Sequence, residues 1–80
     1  MIQVTARYFA AFREKAGLEH ERVATPSRTA AQLFAELSSR HGFLDPVERC
    51  KLAVNGVIAG WEAELNEGDE ILFFPPVAGG

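Results

Sequence analysis

The sequence predicts an α+β domain: a mixed sheet with one main helix packed on one face. Three patterns carry that expectation. Ile2, Val4, Ala6 and Tyr8 alternate with Gln3, Thr5 and Arg7, the period of a half-buried strand. Ala30, Leu33, Phe34 and Leu37 recur at i, i+3, i+4 and i+7, which puts them on one face of a helix. Ile71–Phe74 is apolar at every position and is stopped by Pro75-Pro76, which cannot donate to a ladder.

Taken in order, the first strand begins almost at residue 1, so the N-terminus is expected to be fixed in the sheet. Ala10–Ala16 reads as a short helical turn stopped by Gly17, a C′ glycine. Leu18–Ala24 can pair back as a second strand, closed by Pro26. Thr29 with Gln32 fits a capping box, in which the two side chains satisfy free amides at a helix start. Arg40 and His41 suit the negative end of that helix, and Gly42 ends it. Asp45-Pro46 marks a loop.

Beyond it, Leu52–Val54 and Val57–Ala59 flank Asn55-Gly56, the favoured pair for a tight type I′ hairpin. Asn66-Glu67-Gly68-Asp69 is a second turn. The order reads β-β-α-β-β with one real helix, and one helix covers only one face of a sheet. If the first strand is central, the last can lie parallel beside it through a right-handed crossover. That arrangement is the β-grasp, the ubiquitin-like fold. Residues 1–74 are expected to form it, with 75–80 as an extended tail.

Composition narrows the function. Eighty residues make one domain, too small to enclose a substrate comfortably. Residues 1–40 hold six Arg/Lys and four Glu, whereas 41–80 hold two Arg/Lys and seven Asp/Glu. An acidic C-terminal half argues against nucleic acid, whose phosphates need clustered cations. It suits a partner with a basic groove, and a solvated acidic face explains it as well. Cys50 is the only cysteine, which excludes an internal disulfide and a cysteine-based zinc site. The start, MIQVTARYF, has no basic n-region and no long apolar run, so it is not a signal peptide. No run approaches the roughly 18 apolar residues of a membrane span. A cytoplasmic protein with no membrane or nucleic-acid partner is expected.

Catalytic patterns are scarce. His20-Glu21 opens like HExxH, but Ala24 stands where the second histidine must be. Neither glycine-rich phosphate loop occurs. Ser38, Ser39, His41 and Asp45 lie close in sequence, and a helix end explains them without a triad. Cys50 reads as a structural thiol. Glu62, Glu64, Glu67, Asp69 and Glu70 lack calcium-loop spacing and read as solvated turns. Trp61 anchors either the core edge or a partner surface.

The C-terminus is the unusual segment. Phe74, Pro75, Pro76, Val77, Ala78, Gly79 and Gly80 follow the last strand directly. The prolines favour an extended backbone of about 3.1 Å per residue, so six residues reach on the order of 20 Å. Gly79-Gly80 presents a carboxylate on a thread with no side chains. A carboxylate is a poor acyl electrophile; as an acyl adenylate it becomes reactive, and a sulfur nucleophile can turn it into a thiocarboxylate. A frayed terminus is the competing reading.

Ala53-Val54-Asn55-Gly56, then Leu65-Asn66-Glu67-Gly68-Asp69-Glu70-Ile71, then Phe73-Phe74-Pro75-Pro76-Val77-Ala78-Gly79-Gly80 closely resemble the small subunit of molybdopterin synthase. Similarity extends to the first strand, to Arg13-Glu14 with Gly17, and to Thr29–Leu37; residues 18–28 and 43–50 match least. The resemblance implies a β-grasp sulfur carrier in molybdenum cofactor synthesis that binds no cofactor itself. Gly80 would be adenylated by an E1-like enzyme using ATP, and a sulfur donor protein would supply the thiocarboxylate sulfur. The tail, with Phe74 through Gly79 as partner-binding residues, would insert into the large subunit of a heterotetramer. There it would deliver sulfur to cyclic pyranopterin monophosphate, forming the dithiolene. A thiamine-pathway sulfur carrier, a ubiquitin-like modifier and a plain interaction domain are the alternatives.

Core placement follows from the same periodicities. Val4, Leu33, Leu37, Val54, Ile71 and Phe73 are expected inside. Leu72 and Phe74 are expected to face outward beside the tail, with Phe74 exposed.

Overall fold

A computed structural model describes residues 1–76; the expectations for Val77, Ala78, Gly79 and Gly80 lie outside the described residues. The strands are β1 (Ile2–Tyr8), β2 (His20–Thr25), β3 (Lys51–Val54), β4 (Val57–Ala59) and β5 (Glu70–Phe74). Two α-helices, α1 (Ala11–Ala16) and α2 (Ala30–His41), and a 3-10 turn at Val47–Arg49 complete the described elements. The sheet runs β2-β1-β5-β3-β4. Only the β1–β5 pair is parallel, as expected for a central first strand joined by its last. The β-β-α-β-β order is one strand short, because the Asn55-Gly56 hairpin contributes two short strands. The second strand also starts later than Leu18, at His20. The 3-10 turn, unexpected from the sequence, follows Pro46 and has no apolar periodicity of its own.

Each element follows from its residues. The capping box of α2 is formed: Thr29 Oγ1 accepts from Gln32 N, and Gln32 Oε1 accepts from Thr29 N. Such a cap contributes about 1 kcal/mol, whereas each buried Leu or Phe contributes about 1.5–3 kcal/mol. Leu33, Phe34 and Leu37 are all buried, so the apolar face holds the helix on the sheet and the cap sets where it starts. Two further amides of its first turn are met from a distance: Ala30 N donates to Ala63 O and Ala31 N to Trp61 O. The irregular segment after β4 is thereby pinned to the helix start.

Strand parity sends Val4, Ala6 and Tyr8 of β1, Val23 of β2, Leu52 of β3, and Ile71 and Phe73 of β5 into the core. Phe34 is the aromatic hub, with ring centroids 5.6 Å from Phe12, 5.4 Å from Phe73 and 5.1 Å from Trp61. Trp61 thus anchors the core edge. Five of the six expected core residues are buried. Val54 is only half-buried, because its cross-strand partner Val57 sits on the sheet's edge and is itself 68% exposed.

The two turn motifs meet at the start of β5. Asn55 Nδ2 donates to Asp69 Oδ1 at 3.0 Å, and Asn55 Oδ1 accepts from Glu70 N at 2.9 Å. Asp69 Oδ2 accepts from Asn66 N, closing the second turn. Asn55 and Gly56 both take positive φ, +51° and +84°, as the hairpin type requires.

Candidate functional site

The parity that buries Ile71 and Phe73 turns Leu72 and Phe74 to the opposite face of the sheet. Leu72 registers with Ala53, and Ala53 with Ile58, so an apolar row crosses β5, β3 and β4. Ile58 is 66% exposed. Phe74 lies above that row at the point where Pro75 and Pro76 lead the chain off the sheet.

Phe74 is half-buried and not exposed as expected. The ring of Phe9 lies 5.7 Å away on the same face and shields it. Ala10 has φ +52°, a costly conformation for a residue with a Cβ, where the chain turns from β1 into α1 just beyond Phe9.

Charge differs on the two sides of this tail root. Toward β1, Arg7 pairs with Glu19 and Glu70, and Arg13 also pairs with Glu19. Toward β3, a shallow groove of about 260 Å³ is lined by Arg49, Lys51, Ile58, Phe74, Pro75 and Pro76. Neither Arg49 nor Lys51 makes an ion pair among the described residues.

A second polar cluster lies on the core side of the sheet. Tyr8 Oη donates to Glu21 Oε2 at 2.5 Å, and His41 Nε2 lies 2.5 Å from the same oxygen. Arg40 approaches the other Glu21 oxygen and also pairs with Glu36. Burial opposes the Glu21 charge, but hydrogen bonds from Tyr8 and His41 and the charges of His41 and Arg40 outweigh it. They hold the carboxyl below the usual glutamate range. Burial first, then the hydrogen bond to Glu21, pushes the Tyr8 phenol well above its ordinary value. This network ties the end of α2 to β1 and β2, and it involves His41 with a carboxylate rather than with a serine.

The remaining candidates among the described residues do not assemble into a catalytic group. Cys50 is buried, and burial, then the nearby Asp45 carboxylate, raise its thiol pKa, the reverse of what a nucleophile needs. Among the described residues no group of three or more His, Cys, Asp or Glu could hold a metal ion. The expected tail-root residues Phe74, Pro75 and Pro76 are therefore joined by four that sequence reasoning missed: Phe9, Arg49, Lys51 and Ile58. Hairpin register could have supplied Ile58, since an Asn55-Gly56 turn pairs Val54 with Val57 and hence Ala53 with Ile58.

The five-stranded mixed sheet, its single long helix and a tail leaving the last, central strand define a ubiquitin-like β-grasp protein. More narrowly, the chain belongs to the ThiS family, whose model matches residues 6–80. It is 37% identical to the molybdopterin synthase sulfur carrier subunit of Mycobacterium tuberculosis, over 100% of both chains. It is 34% identical to that of Escherichia coli, over 91% of this chain and 94% of the other. The resemblance read from the motifs is therefore shown.

Solved structures agree. A putative molybdopterin converting factor subunit 1 of Pyrococcus furiosus is 33% identical with a TM-score of 0.78, covering 96% of this chain and 100% of that one. SAMP1 of Haloferax volcanii is 26% identical with a TM-score of 0.79, covering 98% and 99%. A structure from Helicobacter pylori, a complex of subunits 1 and 2 of molybdopterin-converting factor, matches at 25% identity and a TM-score of 0.67. That match covers 99% of this chain and 100% of the other.

Proposed function

We propose that this protein is the sulfur carrier subunit of a molybdopterin synthase and acts in the cytoplasm. The observation that carries the reading is the placement of β5. It is hydrogen-bonded between β1 and β3, its outward side chains are apolar, and it runs directly into Pro75-Pro76. A tail launched from a braced central strand beside an apolar face suits delivery of a terminal group into a partner. The scarcity of catalytic groups among the described residues suits a protein that carries chemistry made elsewhere.

In this reading an E1-like enzyme joins the Gly80 carboxylate to the AMP of ATP, releasing pyrophosphate. Sulfide-level sulfur delivered by a donor protein then attacks the acyl carbon and breaks its bond to AMP, which leaves, so that Gly80 ends in a thiocarboxylate. The tail from Phe74 to Gly79 enters the large synthase subunit, and the Gly80 thiocarboxylate gives one sulfur to cyclic pyranopterin monophosphate and returns, with water, to a carboxylate; two such transfers build the dithiolene. Two carriers flank a dimer of large subunits. The domain itself binds no cofactor, and ATP is bound by the activating enzyme. Curated relatives named as synthase sulfur carriers support this assignment.

Intact mass after reaction with the E1-like enzyme, ATP and a sulfur donor tests it: replacing one oxygen by sulfur at the activated acyl group adds about 16 Da. Deleting Gly80 shortens the reach by about 3 Å, enough to disable transfer. Gly79→Val keeps the length but adds a branched side chain where a narrow tunnel should exclude it. Full dithiolene formation by the Gly80 deletion would refute the carrier mechanism. Full activity of Gly79→Val alone would refute only the narrow tunnel. The likeness to SAMP1 keeps a second reading in view, a protein modifier, which would show isopeptide conjugates on a gel instead.

A further inference from the structure

The groove on the β3 side of the tail root joins an apolar lining to two cations and no acid. The chain carries a net charge of −3, yet this apolar hollow is bordered by two cations, Arg49 and Lys51, with no ion-pair partner among the described residues. On the other side of Phe74, Arg7 and Arg13 are neutralised by Glu19 and Glu70. Glu48 adjoins Arg49 in the 3-10 turn but does not line the groove. Lys51 is the cross-strand partner of Phe74, so its backbone is held beside that of Phe74 by the ladder, and the exposed side chain rises on the face that carries the ring.

We propose that this groove seats an acidic-apolar segment of the partner protein. An apolar side chain enters between Ile58, Phe74 and Pro76, and an Asp or Glu meets Lys51 and Arg49. Apolar contact supplies affinity, while the two cations select register and reject basic partners. The inference rests on the reading of the outer sheet face as the docking face for the large synthase subunit.

Two measurements separate that reading from the charge assignment. In the first, full-length protein is titrated with the cognate large subunit at 50 and 300 mM NaCl. Wild type should bind at least tenfold more weakly at the higher salt. Arg49→Gln/Lys51→Gln should lose most of that salt dependence, and Lys51→Glu should weaken binding at least tenfold at low salt, whereas Lys15→Glu on α1 should not. Both targeted side chains are exposed, and melting curves should confirm that the variants are folded.

In the second, the protein alone is titrated by NMR with the peptide acetyl-Glu-Leu-Asp-Phe-Glu-amide and with its Lys-for-acid counterpart. The acidic peptide should shift Lys51, Ile58 and Phe74 resonances, and the basic one should not. If the large subunit does not bind but the acidic peptide does, the function reading fails and the groove chemistry stands. If the large subunit binds wild type and the charge variants equally at both salts, the acidic occupant is refuted. Equal response to both peptides, or to neither, overturns it as well. Shifts of the same resonances on concentrating the protein alone would assign the groove to a second copy of the chain and overturn it too.

Discussion

Phe74→Ala asks whether the aromatic ring at the root of the tail belongs to the fold or to the partner. Truncating a fully buried Phe costs about 3–5 kcal/mol. Phe74 is half-buried, touched on its own face by Phe9 at 5.7 Å, so its loss in the free protein should be about half of that, about 2 kcal/mol. For a domain of this length, that lowers the melting temperature by about 8–16 °C. Its neighbour Phe73 is fully buried, and Phe73→Ala should forfeit the whole 3–5 kcal/mol or so, a large part of the roughly 4–12 kcal/mol expected for eighty residues. Binding should show the opposite ranking. An aromatic anchor is worth about 2 kcal/mol, or about thirtyfold in Kd, for the large synthase subunit. Calorimetric titration of folded Phe74→Ala, alongside a thermal melt, measures both quantities on one sample. A Kd within threefold of wild type, together with a melt as damaged as that of Phe73→Ala, would place the ring in the core and refute the docking role.

Leu37→Ala should cost about 2–5 kcal/mol in urea unfolding, because Leu37 has no exposed surface and α2 is held mainly by its apolar face. A loss below about 0.5 kcal/mol would detach the helix from the core. Glu21→Gln tests the network of Tyr8, His41 and Arg40. The native Glu21 pKa lies below the ordinary 4.5, so its contribution to stability is complete above that pH and is lost as pH falls through the native value. Wild type should therefore exceed Glu21→Gln in urea midpoint at pH 7, with the gap closing between pH 4.5 and the acid limit. A gap that stays constant down to pH 3 would show that the Glu21 charge contributes nothing.

What could be read from the sequence was whatever depends on local period or turn chemistry. The alternation of Ile2–Tyr8, the α2 face with its Thr29–Gln32 cap, the Gly17 and Gly42 stops and the Asn55-Gly56 hairpin all express forces between residues a few positions apart. The parity of β5 followed from the same rule, which is why Phe73 and Phe74 were assigned to opposite faces. Contacts that only the fold creates stayed hidden. Phe9 shields Phe74 because β1 and β5 are parallel neighbours. Glu21 looked like half of a zinc motif, and its partners Tyr8 and His41 lie 13 and 20 residues away. Arg49 sits in a stretch with no periodicity, so nothing local set it apart from any other exposed cation.

The same distinction bears on what the motif resemblance means. Asn55, Asp69 and Glu70 lie in its strongest internal matches, and the structure gives them a structural task. The side chains of Asn55 and Asp69 lock the hairpin, the second turn and the first residue of β5 together through three hydrogen bonds. That lock holds one end of a five-residue strand about 17 Å long, and the tail leaves from the other. Between those ends, β5 is paired on both edges, and Ile71 and Phe73 are fully buried. Drawing the tail into a partner therefore pulls against two ladders and two core side chains, which hold the origin of the tail in place. Under the proposed function, in which one carboxylate is presented to an activating enzyme and then to a synthase, such an anchor is an advantage, since the reach expected of residues 75–80 is useful only when measured from a fixed point.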